Sequence, residues 1–225
     1  MSVILSIETS TPICSISLHQ NEELISKLSL NKGMSHSSLL SPSIDSLLKL
    51  SGISQSDLSA IALSKGPGSY TGLRIGTSTA KGLCYALDIP LISVETLRGM
   101  AAGMINPEGH FLCPMLDARR MEVYTSMFDR SLNTLEPTRP VILDENSFAE
   151  ILKKGKVIFF GDGSSKFKDV ISNKNAIFIN GVVPKAENIG ALAIQKYNTQ
   201  EFEDLAYFEP FYLKEFRATK PKSML

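Results

Sequence analysis

Two acidic residues stand at matching places in the sequence, each at the end of a segment that reads as a β-strand. Glu8 follows the apolar run Val3–Ile7, and Asp117 follows the apolar run Phe111–Leu116. After each acid comes a turn and then a second strand-like segment. Either acid could line a nucleotide cleft, or could be a turn residue whose carboxylate binds local backbone N–H groups. The stretch Asp117–Tyr124 mixes both charges, which favours an ion pair within it.

The densest motif is a glycine-rich loop, Gly66-Pro-Gly68-Ser-Tyr-Thr-Gly72. It follows a predicted strand and opens a predicted helix, which is the setting of an anion site. It lacks the Gly-Lys-Ser/Thr end of a Walker A loop, and its third glycine comes one residue late for a dinucleotide fingerprint. Spacing alone therefore gives only weak support to phosphate binding.

The helix after this loop carries small residues on one stripe: Gly72, Gly76, Thr79, Ala80 and Leu83. A glycine inside a helix costs about 1 kcal/mol relative to alanine, so two on one face need a compensating contact. That contact could be this chain's own sheet. It could equally be a helix of a partner, or of a second copy of the chain.

Residues for metal or nucleophilic chemistry are sparse. The three histidines are His19, His36 and His110, with no His-x-x-x-His pair, and no Gly-x-Ser-x-Gly elbow occurs. His36 has serines around it and precedes a helix, which indicates a capping or surface role. The sequence predicts no metal site and no cofactor of the chain's own.

Composition narrows the class of protein. The 225 residues include 23 Lys+Arg and 23 Asp+Glu, so bulk electrostatics do not favour nucleic acid. A hydrophobic fraction of 43% supports a real core, and no apolar run is long enough to span a membrane. The three scattered cysteines indicate a reducing compartment, so we expect a cytoplasmic protein. Beyond Lys214 a short basic tail carries Arg217, Lys220 and Lys222.

Hydrophobic periodicity predicts the element order β-β-β-α-β-α-β-α for the first hundred residues. Strand, acid, turn and strand recur around Asp117, which is a weak sign of an internal repeat. The segment Asn106–Gly109 is the best candidate linker. We therefore expect an α/β protein with lobes at residues 1–105 and 106–225.

Several segments together resemble the bacterial TsaB (YeaZ) family. They are Ile7-Glu-Thr-Ser10, the eleven residues Gly66–Gly76, Leu116-Asp-Ala-Arg119 with Glu122-Val-Tyr124, Gly161-Asp-Gly163, and Pro210–Lys214. The glycine run is specific, and the others are short. The resemblance covers most of the chain and is least informative around residues 130–156 and 173–183.

The resemblance implies the actin-like/sugar-kinase/Hsp70 (ASKHA, ribonuclease H-like) fold, with two related lobes and a mixed five-stranded sheet in each. It implies a non-catalytic subunit in the formation of threonylcarbamoyladenosine (t6A) at position 37 of tRNAs that read ANN codons. The partners would be a TsaD-like transferase, bound by two helices of the first lobe, and a TsaE-like ATPase, with tRNA reached through the complex. The interface would comprise Leu40, Ile44, Leu47, Gly72, Gly76, Thr79, Ala80 and Leu83.

The resemblance also implies that ATP-using proteins of this fold carry an Asp-x-Gly turn in the hairpin that opens each lobe. This chain departs from that pattern. Here Ser10 and Arg119 stand at the glycine positions, and their side chains add bulk where backbone should approach phosphate. Glu8, Gly66, Gly68, Asp117 and Arg119 are therefore expected to be structural or to line a cleft. A nucleotide (ATP or ADP) at the partner interface, a homodimer of the isolated chain, and an autonomous metallopeptidase-like or kinase-like enzyme remain open alternatives.

Overall fold

The computed structural model describes residues 2–31, 36–104 and 110–214. Its first sheet has the strand order β3-β2-β1-β4-β5. Strand β1 is antiparallel to β2 and parallel to β4, so the sheet is mixed. The strands are β1 (Val3–Glu8), β2 (Cys14–Gln20), β3 (Glu23–Leu30), β4 (Ala60–Gly66) and β5 (Leu91–Glu95).

The second sheet repeats this topology, with the order β8-β7-β6-β9-β10. Strand β6 is antiparallel to β7 and parallel to β9, as β1 is to β2 and β4. The weak repeat in the sequence therefore corresponds to two sheets of one design. The strands are β6 (Phe111–Asp117), β7 (Glu122–Asp129), β8 (Thr134–Ile142), β9 (Val157–Phe160) and β10 (Ala176–Ile179).

Helices connect the parallel strands and follow the last strand of each sheet. The predicted order of strands and helices in the first hundred residues is observed, and the prediction of two lobes with mixed sheets is confirmed. The helices are α1 (His36–Leu50), α2 (Tyr70–Leu87), α3 (Thr96–Ala102), α4 (Ala149–Lys154), α5 (Ser164–Lys168) and α6 (Ala186–Asn198), with one 3-10 turn at Gln55–Asp57.

Each sheet buries one face under the last helix of the other half of the chain. Helix α6 lays Ile189 and Ala193 on the first sheet, against Ile4 and its neighbours. Helix α3 lays Leu97 and Met100 on the second sheet. The two helices also touch, because a Cβ at Gly99 would lie only 2.6 Å from Ile189 Cδ1. This exchange makes the lobes depend on one another.

After α6 the chain returns to the first sheet as a strap, residues 203–214, with a turn at 205–207. The N–H of Glu203 donates to Leu91 O at 2.9 Å on the edge of β5, and that of Phe211 donates to Lys65 O at 2.7 Å. Lys81 of α2 donates to the carbonyls of residues 206 and 208. The linker predicted at 106–109 and the lobe boundary at 105/106 lie outside the described residues. Within the described ranges no helix is long and apolar enough to cross a membrane.

Candidate functional site

Glu8 ends β1 inside the protein rather than in an open cleft. Its side chain is fully buried, and Oε1 accepts the backbone N–H of Ser10 at 2.6 Å. Burial raises the pKa of the carboxyl, while nearby groups of Ser10 and Ser64 offset part of the rise. The second carboxyl oxygen, Oε2, has no protein partner. Of the two interpretations of Glu8, the structure supports the turn residue that binds a local backbone N–H group, and not the acid that lines a nucleotide cleft.

The turn that follows Glu8 is covered by the glycine loop. Ser69 N–H donates to Ser10 O at 2.7 Å, and Thr9 Oγ1 donates to Gly72 O at 2.8 Å. A Cβ at Gly68 would lie 2.5 Å from Ser10 Cβ. Backbone thus packs directly on backbone, which explains why this segment needs glycines.

The contacts of this turn do not fit a phosphate of a nucleotide. A phosphate site needs free backbone N–H groups pointing at open space. Here the N–H groups of Ser10 and Ser69 are engaged within the chain, and loop backbone occupies the space above the turn. A cavity of about 210 Å³ lies between the lobes and is lined by Thr11–Ile13, Asn31, Asp162 and 182–184, and a second cavity of about 400 Å³ lies beside the strap, lined by Lys65, Glu95, Glu203 and 207–211.

The predicted interface stripe faces mostly inward, which corrects the sequence interpretation. Buried side chains cannot form a contact surface, and six of the eight positions are buried: Leu40, Ile44, Leu47, Gly72, Gly76 and Ala80. The two glycines pack on Thr9: a Cβ at Gly72 would lie 2.0 Å from its carbonyl oxygen, and one at Gly76 2.3 Å from its Oγ1. Their compensating contact is therefore the chain itself. Thr79 and Leu83 are half-exposed, and their part in an interface stays a prediction.

The outward faces of α1 and α2 carry a different set of small residues. On α1 the exposed positions include Ser37, Ser38, Ser41 and Ser46, and on α2 Thr71, Ser78 and Gly82. A Cβ at Gly82 would meet no atom within 4 Å, so nothing inside the chain requires a glycine there. The large apolar side chains beside them, Leu50 and Tyr85, are 88% and 85% exposed. Together these residues, with Thr79 and Leu83, form a surface that we call the outer helical face.

Asp117 differs from Glu8, because it is exposed and charged groups from distant segments surround it. Lys166 of α5 forms an ion pair with its Oδ1, and the N–H of Arg119 donates to the same oxygen at 2.5 Å. Its own N–H donates to Asp162 Oδ1 at 2.9 Å. The ion pair predicted within Asp117–Tyr124 is wrong, since the partner of Asp117 lies 49 residues away.

The turn after Asp117 keeps a glycine-like backbone without glycine. Arg119 and Arg120 have φ values of 73° and 53°, in the left-handed region that favours glycine. Glu122, at the start of β7, pairs with Lys214 of the strap, whose ammonium lies 6.0 Å from the ring centroid of Tyr124. Burial raises the pKa of Tyr124, and Lys214 lowers it in part. This end of the second sheet therefore anchors the strap.

The three histidines have different environments and different roles. His36 Nε2 donates to Thr11 O at 2.7 Å, so it fastens α1 to the first turn. His19 lies under α6, where a Cβ at Gly190 would meet its ring at 2.2 Å, and burial lowers its pKa. His110 is exposed on the second lobe. Among the described residues no three His, Cys, Asp or Glu side chains lie together as a metal would need.

Sequence reasoning missed the residues that join the lobes. Ser15 Oγ accepts the N–H of Ala186 at 3.1 Å and so caps α6 from the opposite lobe. Ser6, Ser17 and His19 line the same face of the first sheet, and each has a buried polar atom without a protein partner. The alternation of serine with apolar residues in β1 and β2 was visible, but it does not reveal which helix covers that face.

The repeated topology defines the class of protein: a two-lobed α/β protein of the actin-like/sugar-kinase/Hsp70 fold. A family model described as "TsaD: tRNA N6-adenosine threonylcarbamoyltransferase" matches residues 31–222. A crystal structure from Pseudomonas aeruginosa, of an uncharacterized protein with similarity to peptidase YeaZ, superposes with a TM-score of 0.85 at 23% identity and covers 95% of this chain and all of that one.

Two curated relatives narrow the family. A tRNA threonylcarbamoyladenosine biosynthesis protein TsaB from Bacillus subtilis is 36% identical over 176 residues, covering 76% of this chain and 75% of that protein. The TsaB from Escherichia coli is 30% identical over 218 residues, 94% of each chain. The chain belongs to the TsaB family of tRNA threonylcarbamoyladenosine biosynthesis proteins.

Proposed function

We propose that this chain is a non-catalytic subunit that binds a TsaD-type transferase and supports t6A formation at position 37 of tRNAs that read ANN codons. The observation that carries this proposal is the closure of the Thr9–Ser10 turn by the glycine loop. It fills with backbone the place where a protein of this fold would take a phosphate. Without that site, the two-lobed fold supplies shape and surface rather than a reaction centre.

The outer helical face is the surface that we assign to the transferase. A glycine in an exposed helix interior costs about 1 kcal/mol, and Gly82 has no internal contact to offset that cost. The small side chains on both helices leave room for another helix to approach, beside the exposed charged side chains of Asp45, Lys49 and Arg74. Leu50 and Tyr85 supply apolar anchors of the type enriched in interfaces.

The remaining parts of the proposal concern partners and location. A TsaE-type ATPase would act on the pair of subunits, and any ATP or ADP would lie at the shared interface rather than in this chain alone. The isolated chain would form homodimers through the same outer helical face. The site of action would be the cytoplasm.

The substitution Gly82→Arg tests the interface, because it places a long charged side chain on the surface without an internal clash. We expect it to weaken binding to the transferase at least a hundredfold in an affinity titration, while the thermal unfolding temperature stays within a few degrees. Ser165→Arg, at an exposed position of α5, is the matched control and should bind normally. Normal affinity of Gly82→Arg would remove the outer helical face from the proposal.

A further inference from the structure

The amino ends of three parallel strands in the second sheet carry a line of basic groups. Phe111, Val157 and Ala176 lie side by side in β6, β9 and β10. His110 and Lys156 stand directly before β6 and β9, Lys174 stands two positions before β10, and Lys154 stands three positions before β9. Since neighbouring strands lie about 4.8 Å apart, the three strand ends span about 10 Å. We call these four residues the basic row.

Backbone hydrogen bonds hold the row in place. The N–H of His110 donates to Lys156 O at 2.9 Å, and that of Val157 donates to Asn175 O at 2.8 Å. The side-chain amide of Asn175 donates to Leu152 O at 2.8 Å, which ties the loop before β10 to the end of α4. The sheet therefore fixes the backbone at His110 and Lys156, while Lys154 ends α4 and Lys174 lies in the loop that Asn175 ties to that helix.

The lysines of the row are exposed, and none of them forms an ion pair with a carboxylate of the described residues, although the charge of Lys154 helps to lower the pKa of Glu150 on the same helix. Lys153 pairs with Glu150 at 2.6 Å, and Lys166 pairs with Asp117. Asp129, at the same edge, accepts the N–H groups of residues 131 and 133 instead. Asp169 at the end of α5 is also exposed. The row thus carries local positive charge although the whole chain is neutral.

We propose that the basic row contacts the phosphate backbone of the tRNA on which the complex acts, an inference that rests on the proposed function. Lysine ammonium groups suit phosphates because they need no fixed partner geometry, and they bind backbone without reading sequence. His110 is an exposed residue whose ring lies against Gly155, and an aromatic ring at the surface is a place where an unpaired base can stack. An acidic protein segment would meet the same charge but would gain nothing from this ring.

The contribution of the row has a measurable signature. Each phosphate that a lysine neutralises releases condensed counterions, so the logarithm of the binding constant falls with the logarithm of salt concentration by about 0.7–0.9 per contact. Loss of three lysines should reduce this slope by about 2–3 and so weaken binding about a hundredfold near 0.1 M salt.

The test uses the full chain carrying Lys154→Gln, Lys156→Gln and Lys174→Gln together. Binding of fluorescent tRNA is measured between 50 and 200 mM salt, for the chain alone and for its complex with the transferase. The control carries Lys27→Gln, Lys185→Gln and Lys196→Gln, which remove the same formal charge from the region around β3 and α6, where Lys27 and Lys185 pair with Glu187. Transferase affinity is measured separately for all three proteins.

The expected result is weaker tRNA binding and a smaller salt slope for the row variant only, with normal transferase affinity. Equal tRNA affinity and slope for the row and control variants would overturn the row while leaving the proposed function intact. Binding of the row to polyglutamate as tightly as to tRNA would overturn it in favour of an acidic protein partner. Failure of the wild-type chain to bind the transferase would count against the proposed function instead, and the chain alone would still report on the row.

Discussion

At the scale of residues, the glycine run Gly66–Gly76 is the most specific motif of the sequence, and its close contacts show that it packs against the turn after β1. Gly72 and Gly76 lie against Thr9, whereas Gly82, on the same helix, faces open space. Glycines on the same helix thus have different roles, since Gly72 and Gly76 allow close packing inside the chain and Gly82 lies on the surface. Substitution by alanine, which adds one methyl group, should affect the stability of the protein differently at the two kinds of position.

Gly72→Ala should destabilise the protein by about 1–3 kcal/mol, because its Cβ would lie 2.0 Å from a backbone oxygen that cannot move freely. Gly82→Ala is the matched control and should be neutral or more stable by up to about 1 kcal/mol, since alanine favours helix. Urea unfolding followed by circular dichroism gives both values. Equal effects at the two positions would contradict the packing described for the turn.

Because the carboxyl of Glu8 is buried, the stability of the folded protein should depend on pH. Its pKa in the folded protein is raised by burial, so the folded state holds a proton that the unfolded chain releases above its ordinary pKa near 4.5. Stability is therefore lost as the pH rises from there through the folded pKa. Glu8→Gln keeps the shape without the charge and should remove this loss.

The check is the free energy of unfolding of wild type and Glu8→Gln at several pH values from 4.5 to 8. The advantage of the variant should grow as the pH rises. An advantage that is constant, or that is largest at low pH, would show that the carboxyl is not held protonated by burial.

At the scale of elements, the exchange of α3 and α6 is what positions both sheets. Helix α6 begins where Ser15 of β2 accepts the N–H of Ala186. A strand of the first sheet therefore caps the helix that follows the last strand of the second sheet. The hydroxyl of Ser29 bonds to that of Ser15 but does not reach the helix. The two serines can therefore be separated by substitution.

Ser15→Ala should cost about 1 kcal/mol, the usual worth of a helix cap, and should loosen the first turn of α6. Ser29→Ala, which leaves the cap in place, should cost less than about half as much. Amide hydrogen exchange at residues 186–189 reports the local effect. Faster exchange in both variants to the same degree would mean that the hydroxyl of Ser15 does not cap α6.

Periodicity predicted the long elements well because each has one clear apolar face, as in α1 and α2. It missed β8, which contains Pro137 and Pro140 and lies at a sheet edge where proline is tolerated. It also missed the short α5 and β10, whose five and four residues are too few to show a period. The stripe on α2 was read correctly as a helical face, but spacing cannot tell inward from outward. The pairing of Asp117 with Lys166 depends on how the fold places α5 beside the end of β6, which no local sequence pattern encodes.

At the scale of the whole molecule, the exchanged helices imply that the lobes fold together. A fragment of residues 1–104 would lack α6 and expose the apolar face that Ile4, Ala62 and Ile92 present to it. We expect this fragment to be unfolded or aggregated, and the full chain to unfold in one transition by tyrosine fluorescence and circular dichroism. A well-dispersed amide spectrum from the fragment would show that the first lobe is independent.

We expect this chain to support t6A formation only together with a transferase. The direct measurement is t6A formation in a reconstituted reaction of TsaD-type transferase, TsaE-type ATPase, ATP, threonylcarbamoyl-adenylate and unmodified tRNA, with and without this chain, and with this chain as the sole protein. We expect modified tRNA only when the chain and the transferase are both present, and a strongly reduced rate with Gly82→Arg in place of the wild type. Modification by this chain alone, or an undiminished rate without it, would show that the chain is not a non-catalytic partner of the transferase.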